Sequence, residues 1–203
     1  MRKQITLLLM TIVMIFAITG CGGSSENDTA GSGTSDMLSG THHVEIQIKD
    51  YGTIKAELDA DTAPITVTNF VDLAKKGFYD GLTFHRIISG FMIQGGDPKG
   101  NGTGGSGENI KGEFSVNGVE NNISHVRGTI SMARAQDYDS ASSQFFIMHQ
   151  DAANLDGQYA AFGTVTEGME LVDKICQDTP VIDSNGTVEA GKAPVIETIK
   201  VLD

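Results

Sequence analysis

The sequence predicts a mainly-β fold, a closed antiparallel barrel with helices over its ends. Strand-like segments are short and numerous, and only two stretches, far apart, carry helical spacing. No strand–helix–strand rhythm of the kind that builds a parallel sheet is present, so the parallel-sheet classes are disfavoured.

The first element, Val44 to Lys49, alternates apolar and polar residues cleanly, and Asp50-Tyr51-Gly52 turns it into a second strand from Thr53 to Leu58. That is an opening hairpin. Thr62 or Ala63 then leads into Pro64, and Val67, Phe70, Val71 and Ala74 recur at helical spacing until Lys75, Lys76 and Gly77. A proline start and a glycine stop frame this first helix. Tyr79-Asp80-Gly81 turns the chain into an apolar strand beginning at Phe84. Gly90 and the Gly95-Gly96 pair interrupt its second half, so bends or close backbone approach are expected there. Pro98 to about Arg127 is a long glycine-rich loop. Its Gly100-Asn-Gly-Thr-Gly-Gly105 matches GxGxxG, yet no apolar helical repeat comes after it, so a nucleotide-binding role is rejected. Strand character resumes over Gly128 to Ala133, Ser143 to Met148, and Tyr159 to Val165. A short helix from Met169 to Ile175 and a strand from Thr198 to Leu202 close the domain.

Residues 1–20 stand apart from this fold. Arg2 and Lys3 precede an apolar run, Ile5 to Ile18, that is too short for a comfortable membrane span and reads as a secretion signal. Ile18-Thr-Gly-Cys21 resembles the lipobox of bacterial lipoproteins, which implies cleavage and a lipid on Cys21. Residues 21–42 have the polar, small-residue composition of a flexible tether, and residues 43–203 form the expected domain. The expected location is extracytoplasmic, with the chain lipid-anchored to a bacterial cell membrane. The full chain carries a formal net charge of −12. Removing Arg2 and Lys3 from its 14 basic residues, against 26 acidic ones, leaves about −14 in the mature chain. Nucleic acid is excluded as a partner class on that charge, and membrane attachment must come from acyl chains. With Cys21 acylated, Cys176 has no disulfide partner, and it follows the apolar pattern of its helix as a buried, inert thiol. His42 and His43 lack a further spaced ligand, are expected to be exposed, and define no metal site. No cofactor is expected, and nothing in the sequence suggests assembly beyond a monomer.

The stretch Phe84 to Asp97 carries the chemistry. Alternation places Phe84, Arg86 and Ile88 on one face, so a guanidinium sits among apolar side chains. It cannot lose its proton and must find acceptors or water, which a cleft provides. A purely structural arginine, satisfied by a carboxylate or carbonyls, is the competing reading of this stretch.

Together with Phe84 to Asp97, the motifs Ser131-Met-Ala-Arg-Ala135, Ser143-Gln-Phe-Phe146, Leu155-Asp-Gly157 and Phe162-Gly163 resemble, in order, the cyclophilin family of peptidyl-prolyl isomerases. The resemblance covers about Val44 to Asp203. It implies an eight-stranded antiparallel barrel capped by two helices, with a proline pocket on its outer surface. It implies a catalytic role for Arg86, a proline pocket of Phe91, Met92, Phe146 and Leu155, an orienting role for Gln94, and a rim amide at Gln144. Ala133, Arg134 and Ala135 match the peptide-binding segment, where the family uses backbone groups at the Arg134 position. Asn154 replaces a tryptophan that many eukaryotic members carry, which removes an indole N–H and argues against tight cyclosporin binding. Tyr159 replaces a histidine and keeps an aromatic wall, while Arg134 replaces a usual asparagine. Ser89 stands where the motif has proline.

The chemistry needs no proton transfer. Rotating an X-Pro bond is opposed by lost amide resonance, roughly 18–20 kcal/mol. A cationic donor beside the nitrogen favours the twisted state. Bringing a step of tens of seconds to about 10² per second requires about 5 kcal/mol, of which one preorganised charged hydrogen bond supplies about 3–4. His85, His125 and His149 are therefore not required as acids or bases. The expected partners are proline-containing segments of exported proteins. A non-catalytic, surface-anchored binder of such segments is the alternative.

Overall fold

The computed structural model describes residues 37–203. The expected secretion signal, Cys21 and the tether as far as residue 36 lie outside the described residues.

Among the described residues, eight antiparallel strands form one curled sheet, a half-barrel, with two α-helices packed on it. In chain order the elements are β1 (Thr41–Ile48), β2 (Gly52–Asp59), α1 (Pro64–Lys75), β3 (Arg86–Ile88), β4 (Met92–Gly95), β5 (Thr129–Met132), β6 (Phe145–Met148), β7 (Ala161–Glu167), α2 (Met169–Asp178) and β8 (Ile196–Val201). The strand order is β3-β4-β6-β5-β7-β2-β1-β8.

The opening hairpin forms as the alternation predicts. Ile46 faces Ile54 and Val44 faces Ala56, so one side of both strands is buried. The domain reaches further towards the N-terminus than expected. Leu38 packs against the core and its N–H donates to Thr68 Oγ1 at 2.9 Å, while the Gly40 N–H donates to Asp61 Oδ1 at 2.8 Å. Residues 38–42, read from composition as the end of the tether, thus belong to the domain. His42 is also not exposed as expected: it lies in β1 with 16% of its side chain accessible, whereas His43 is exposed and bonds Asp203.

Helix α1 starts at Pro64 and buries Thr66, Val67, Phe70, Val71, Leu73 and Ala74. Gly77, with φ of +69°, ends it: the Gly77 N–H donates to Ala74 O and the Phe78 N–H to Leu73 O, the paired bonds of a Schellman motif. Beneath the helix, Phe70, Tyr79, Phe84, Phe145 and Phe162 are fully buried and meet largely edge-on or tilted at 5.0–6.0 Å. The Tyr79 hydroxyl donates to Ser143 O, and burial raises its pKa far above that of a free phenol. In α2, Val172 and Ile175 are buried. Cys176 is half-buried, its thiol pushed up to about 11 by desolvation, which keeps it protonated and unreactive at neutral pH.

Three expectations are corrected. The barrel does not close, because β3 and β8 remain the two ends of the sheet. Strand β3 is only three residues long, and its outer edge is taken by the 186–188 segment: the Ile87 N–H donates to Gly186 O and the Val188 N–H to His85 O. Among the described residues the seam is crossed by the segment before β3 meeting the start of β8, with the Phe84 N–H donating to Pro194 O, the Ile196 N–H to Leu82 O and the Gly81 N–H to Ile196 O. Secondly, Phe84 does not share a face with Arg86. It lies before β3 and joins Ile87 in the main core, so alternation holds only from Arg86 onward. Thirdly, alternation is not interrupted as expected, since Met92–Gly95 is a regular strand paired on both sides by β3 and β6. The glycine pair instead makes the close backbone approach also expected of it, as a Cβ at Gly96 would lie 2.5 Å from Ser143 O.

Strict alternation along β4, β5 and β6 separates two apolar clusters. Ile93, Ile130, Met132, Phe145 and Ile147 point into the main core with α1. Met92, Phe146 and Met148 point to the other face, where Ile88, Phe91, Ala133, Leu155 and Tyr159 pack around them.

Candidate active site

Strand register builds the site. Arg86 lies opposite Gln94, Gln94 opposite Phe146, and Phe146 opposite Ser131, so one row crosses four strands on the face away from the main core. The next row, Ile88 opposite Met92 and Met92 opposite Met148, supplies an apolar floor beside it. These residues come from separate stretches of the chain, and only the pairing brings them together.

A cavity of about 200 Å³ opens above these rows, lined by Arg86, Phe91, Met92, Gln94, Ala133, Arg134, Phe146, Leu155 and Tyr159. It is smaller than the roughly 300–1,000 Å³ typical of drug-sized ligand pockets, and suits one small ring. Of the residues expected at the site, only Ala135 and Gln144 lie outside it. They line an adjoining cavity of about 550 Å³ between the 133–142 segment and the glycine-rich loop, with Gln94, Ala133 and Arg134 shared between the two. Asn154 is exposed and lines neither.

The guanidinium of Arg86 is held by neutral groups. Its Nη1 donates to Gln94 Oε1 at 3.1 Å, its Nε to the Asn185 carbonyl at 2.8 Å and its Nη2 to Asn185 Oδ1 at 3.3 Å. Among the described residues no carboxylate forms an ion pair with it. Burial lowers its pKa, opposed by Tyr159 and Asp183 acting through space, but a guanidinium stays protonated at neutral pH. Its charge is therefore fixed in direction yet not neutralised. Gln94 is held in turn, its Nε2 donating to Gln144 Oε1 at 2.9 Å, and Gln144 Nε2 donates to Gly104 O at 2.8 Å. This chain of amides fixes which end of Gln94 faces the arginine.

Asn185 escaped the sequence reading, since it lies 99 residues from Arg86. The only local signal is the Asn185-Gly186 pair, a turn dipeptide. Gly186 has φ of +81°, and a Cβ there would lie 2.3 Å from Ile87 O, so only glycine lets the turn sit against β3.

The histidines support the site and do not enter it. His125 is 1% exposed, its Nδ1 donating to Asp156 Oδ1 at 2.9 Å and its Nε2 accepting from the Ser131 hydroxyl at 3.0 Å. Its ring stacks on Phe146 with centroids 6.1 Å apart. Burial lowers its pKa against the opposing pull of Asp156, which favours the neutral ring this bonding requires. His149 accepts from the Gly90 N–H at 2.7 Å through Nδ1, and its backbone N–H donates to Phe91 O, which fixes the turn carrying Phe91. His85 is buried in the adjacent layer, its pKa lowered by desolvation. The site thus offers an oriented cation beside the apolar side chains of Phe91, Met92, Phe146 and Leu155, and among the described residues the lining of the smaller cavity holds no serine, cysteine, histidine or carboxylate.

Known proteins similar to this chain point to one family. The family described as cyclophilin type peptidyl-prolyl cis-trans isomerase/CLD matches residues 43–201. A peptidyl-prolyl cis-trans isomerase of Helicobacter pylori (strain ATCC 700392 / 26695) is 50% identical over 128 residues, 62% of this chain and 76% of that protein. Peptidyl-prolyl cis-trans isomerase B of Bacillus subtilis (strain 168) is 49% identical over 124 residues, 61% of this chain and 83% of that protein. Among solved structures, a cyclophilin-type isomerase of Cryptosporidium parvum superposes with a TM-score of 0.70 at 31% identity, covering 80% of this chain and 98% of that one. A second structure of that protein, in the presence of the dipeptide Ala-Pro, gives a TM-score of 0.69.

Proposed function

This chain belongs to the cyclophilin-type peptidyl-prolyl cis-trans isomerase family, and from that premise we propose that Arg86 accelerates rotation about X-Pro bonds in exported proteins. The chain is a peptidyl-prolyl cis-trans isomerase; the mechanism and the clients are our reading. The observation that carries it is an uncompensated guanidinium, oriented by Gln94 and Asn185, at the mouth of the cavity formed by Phe91, Met92, Phe146 and Leu155.

A proline ring docked on Phe146 and Met92 places its amide beside Arg86. Twisting that amide localises the lone pair on nitrogen, and the guanidinium stabilises the twisted state more than the planar one. Because Arg86 is already held by other groups, little reorganisation is needed as the bond turns. The apolar walls exclude water and strengthen the interaction. Ala133 and Arg134 border both cavities and, with Ala135, suit the segment preceding the proline, with Gln144 at the rim.

The test is turnover of a proline-containing tetrapeptide by the full chain and by its Gly186→Ala variant. The full chain speeds cis/trans conversion. The variant, whose new Cβ pushes the 183–188 turn off β3 and carries the Asn185 carbonyl away from Arg86, is slower by about tenfold in kcat/KM when assayed well below its unfolding temperature. A chain that binds the peptide without speeding conversion would be the non-catalytic holder instead.

We further propose that the protein is a lipoprotein, cleaved before Cys21 and held at a cell membrane by acyl chains. The lipobox-like Ile18-Thr-Gly-Cys21 after an apolar run supports this; the acidic charge means that attachment would come from the acyl chains and not from a basic patch. Expressed in a bacterium, the native chain should sediment with membranes and incorporate labelled palmitate, and Cys21→Ser should lose the label. A native chain that takes up no labelled palmitate would contradict the assignment.

A further inference from the structure

Arg134 was expected to contribute its backbone, yet its side chain has an assignment of its own. The guanidinium carbon lies 4.7 Å from the ring centre of Tyr159, 5.0 Å from that of Tyr138 and 5.2 Å from that of Phe114. Its Nε and Nη2 donate to Gln158 O at 3.1 and 2.9 Å, and its Nη1 donates to Ala135 O at 2.8 Å and Gln136 O at 3.4 Å. The head group therefore points into its own domain, and its donors are directed at backbone carbonyls and not at an incoming charge.

What it joins matters for the site. Tyr159 walls the 200 Å³ cavity and meets Phe146 edge-on, with centroids 5.9 Å apart and planes at 83°. Phe146 is backed by His125, so one side of Tyr159 rests on a fixed stack. The Arg134 guanidinium lies over the same Tyr159 ring. The same head group binds the carbonyls of residues 135 and 136, just beyond the cavity-lining Ala133, and so ties the wall to the peptide-facing segment.

We propose that Arg134 is a positioning residue: a cation held among three aromatic rings that fixes Tyr159 and the 133–136 segment in the arrangement a prolyl peptide requires. This rests on the reading of the cavity as the proline pocket. Arg134 does not act on the reacting amide, and its loss should weaken docking without slowing rotation of the docked bond.

The experiment measures kcat and KM for a proline tetrapeptide with the full chain and with Arg134→Met, Arg134→Lys and Arg86→Ala. Arg134→Met keeps the apolar stem and removes the charge and the donors. It should raise KM about tenfold with kcat within about twofold. Arg134→Lys keeps a cation over the rings but not the planar fork, and its KM should fall between the two. It also serves as the test should the methionine variant fail to fold. A lowered melting temperature with KM unchanged in both variants, the outcome of a merely structural role, overturns the proposal. If Arg86→Ala keeps the native kcat, the reading of the cavity fails first. If Arg86→Ala is slow while Arg134→Met and Arg134→Lys keep the native KM, only the positioning role is lost.

Discussion

Replacing Arg86 by alanine should lower kcat/KM for a proline peptide by about 10², with most of the loss in kcat. The size follows from the type of interaction. Removing one preorganised donor from a site that stabilises developing charge costs about 10²–10³ in rate. In the proposed mechanism Arg86 supplies such a donor, pinned by Gln94 on one side and Asn185 on the other. On the proposed reading docking depends instead on Phe91, Met92, Phe146 and Leu155, which the substitution leaves in place, so KM should move little. Stability should also change little, because the side chain is only half-buried and leaves neutral amides that water can reach. Arg86→Lys should fall between the two, since an ammonium keeps the charge but cannot bond Gln94 Oε1 and the Asn185 carbonyl as a planar fork. Steady-state kinetics on the three proteins check this.

The second large effect concerns folding. Glu113→Ala should destabilise the domain by about 3 kcal/mol, roughly 10² in the folding equilibrium. Helix α1 begins with Ala63 at its cap position and Pro64 after it, and Ala63 makes no side-chain capping bond. The free N–H groups of its first turn are met from far away. Glu113 accepts from the N–H groups of Ile65 and Thr66 at 3.0 and 2.8 Å and from the Thr66 hydroxyl at 2.7 Å, while itself only 2% exposed. A carboxylate there also complements the positive end of the helix dipole. Removing it leaves buried donors unsatisfied, each costing about 1–3 kcal/mol. Glu113→Gln, which keeps one acceptor, should lose less. Urea unfolding monitored by circular dichroism measures both, and a loss under about 1 kcal/mol for the alanine variant would contradict the capping role.

These two residues mark how far the sequence could be read. Arg86 was legible because an unneutralised charge in an apolar strand demands acceptors, and the ordered motifs around it carried a specific resemblance. Glu113 was not, because its partners lie 47 and 48 residues earlier and no local pattern joins a loop glutamate to a distant helix start. Asn185 was hidden for the same reason. Alternation found β1 and β2 but overran at Phe84, since period two holds only while the backbone stays extended, and the regular strand begins only at Arg86. Strand β4 was obscured by its glycines, which allow tight packing against neighbouring backbone without ending the pairing with β3 and β6. Closure of the barrel depends on whether its two end strands are long and regular enough to pair, and β3 is not. Arg134 shows a subtler limit: the position was identified, but the direction of its side chain was set by Phe114, Tyr138 and Tyr159, from separate segments.

The most direct measurement is the rate at which a saturating proline peptide interconverts between cis and trans while bound, read by NMR exchange spectroscopy on the native chain and on Arg86→Ala. A guanidinium that stabilises the half-turned amide predicts that bound-state exchange slows by about 10² in the variant while the peptide still occupies the pocket. Exchange at the native rate in the absence of Arg86 would contradict the account.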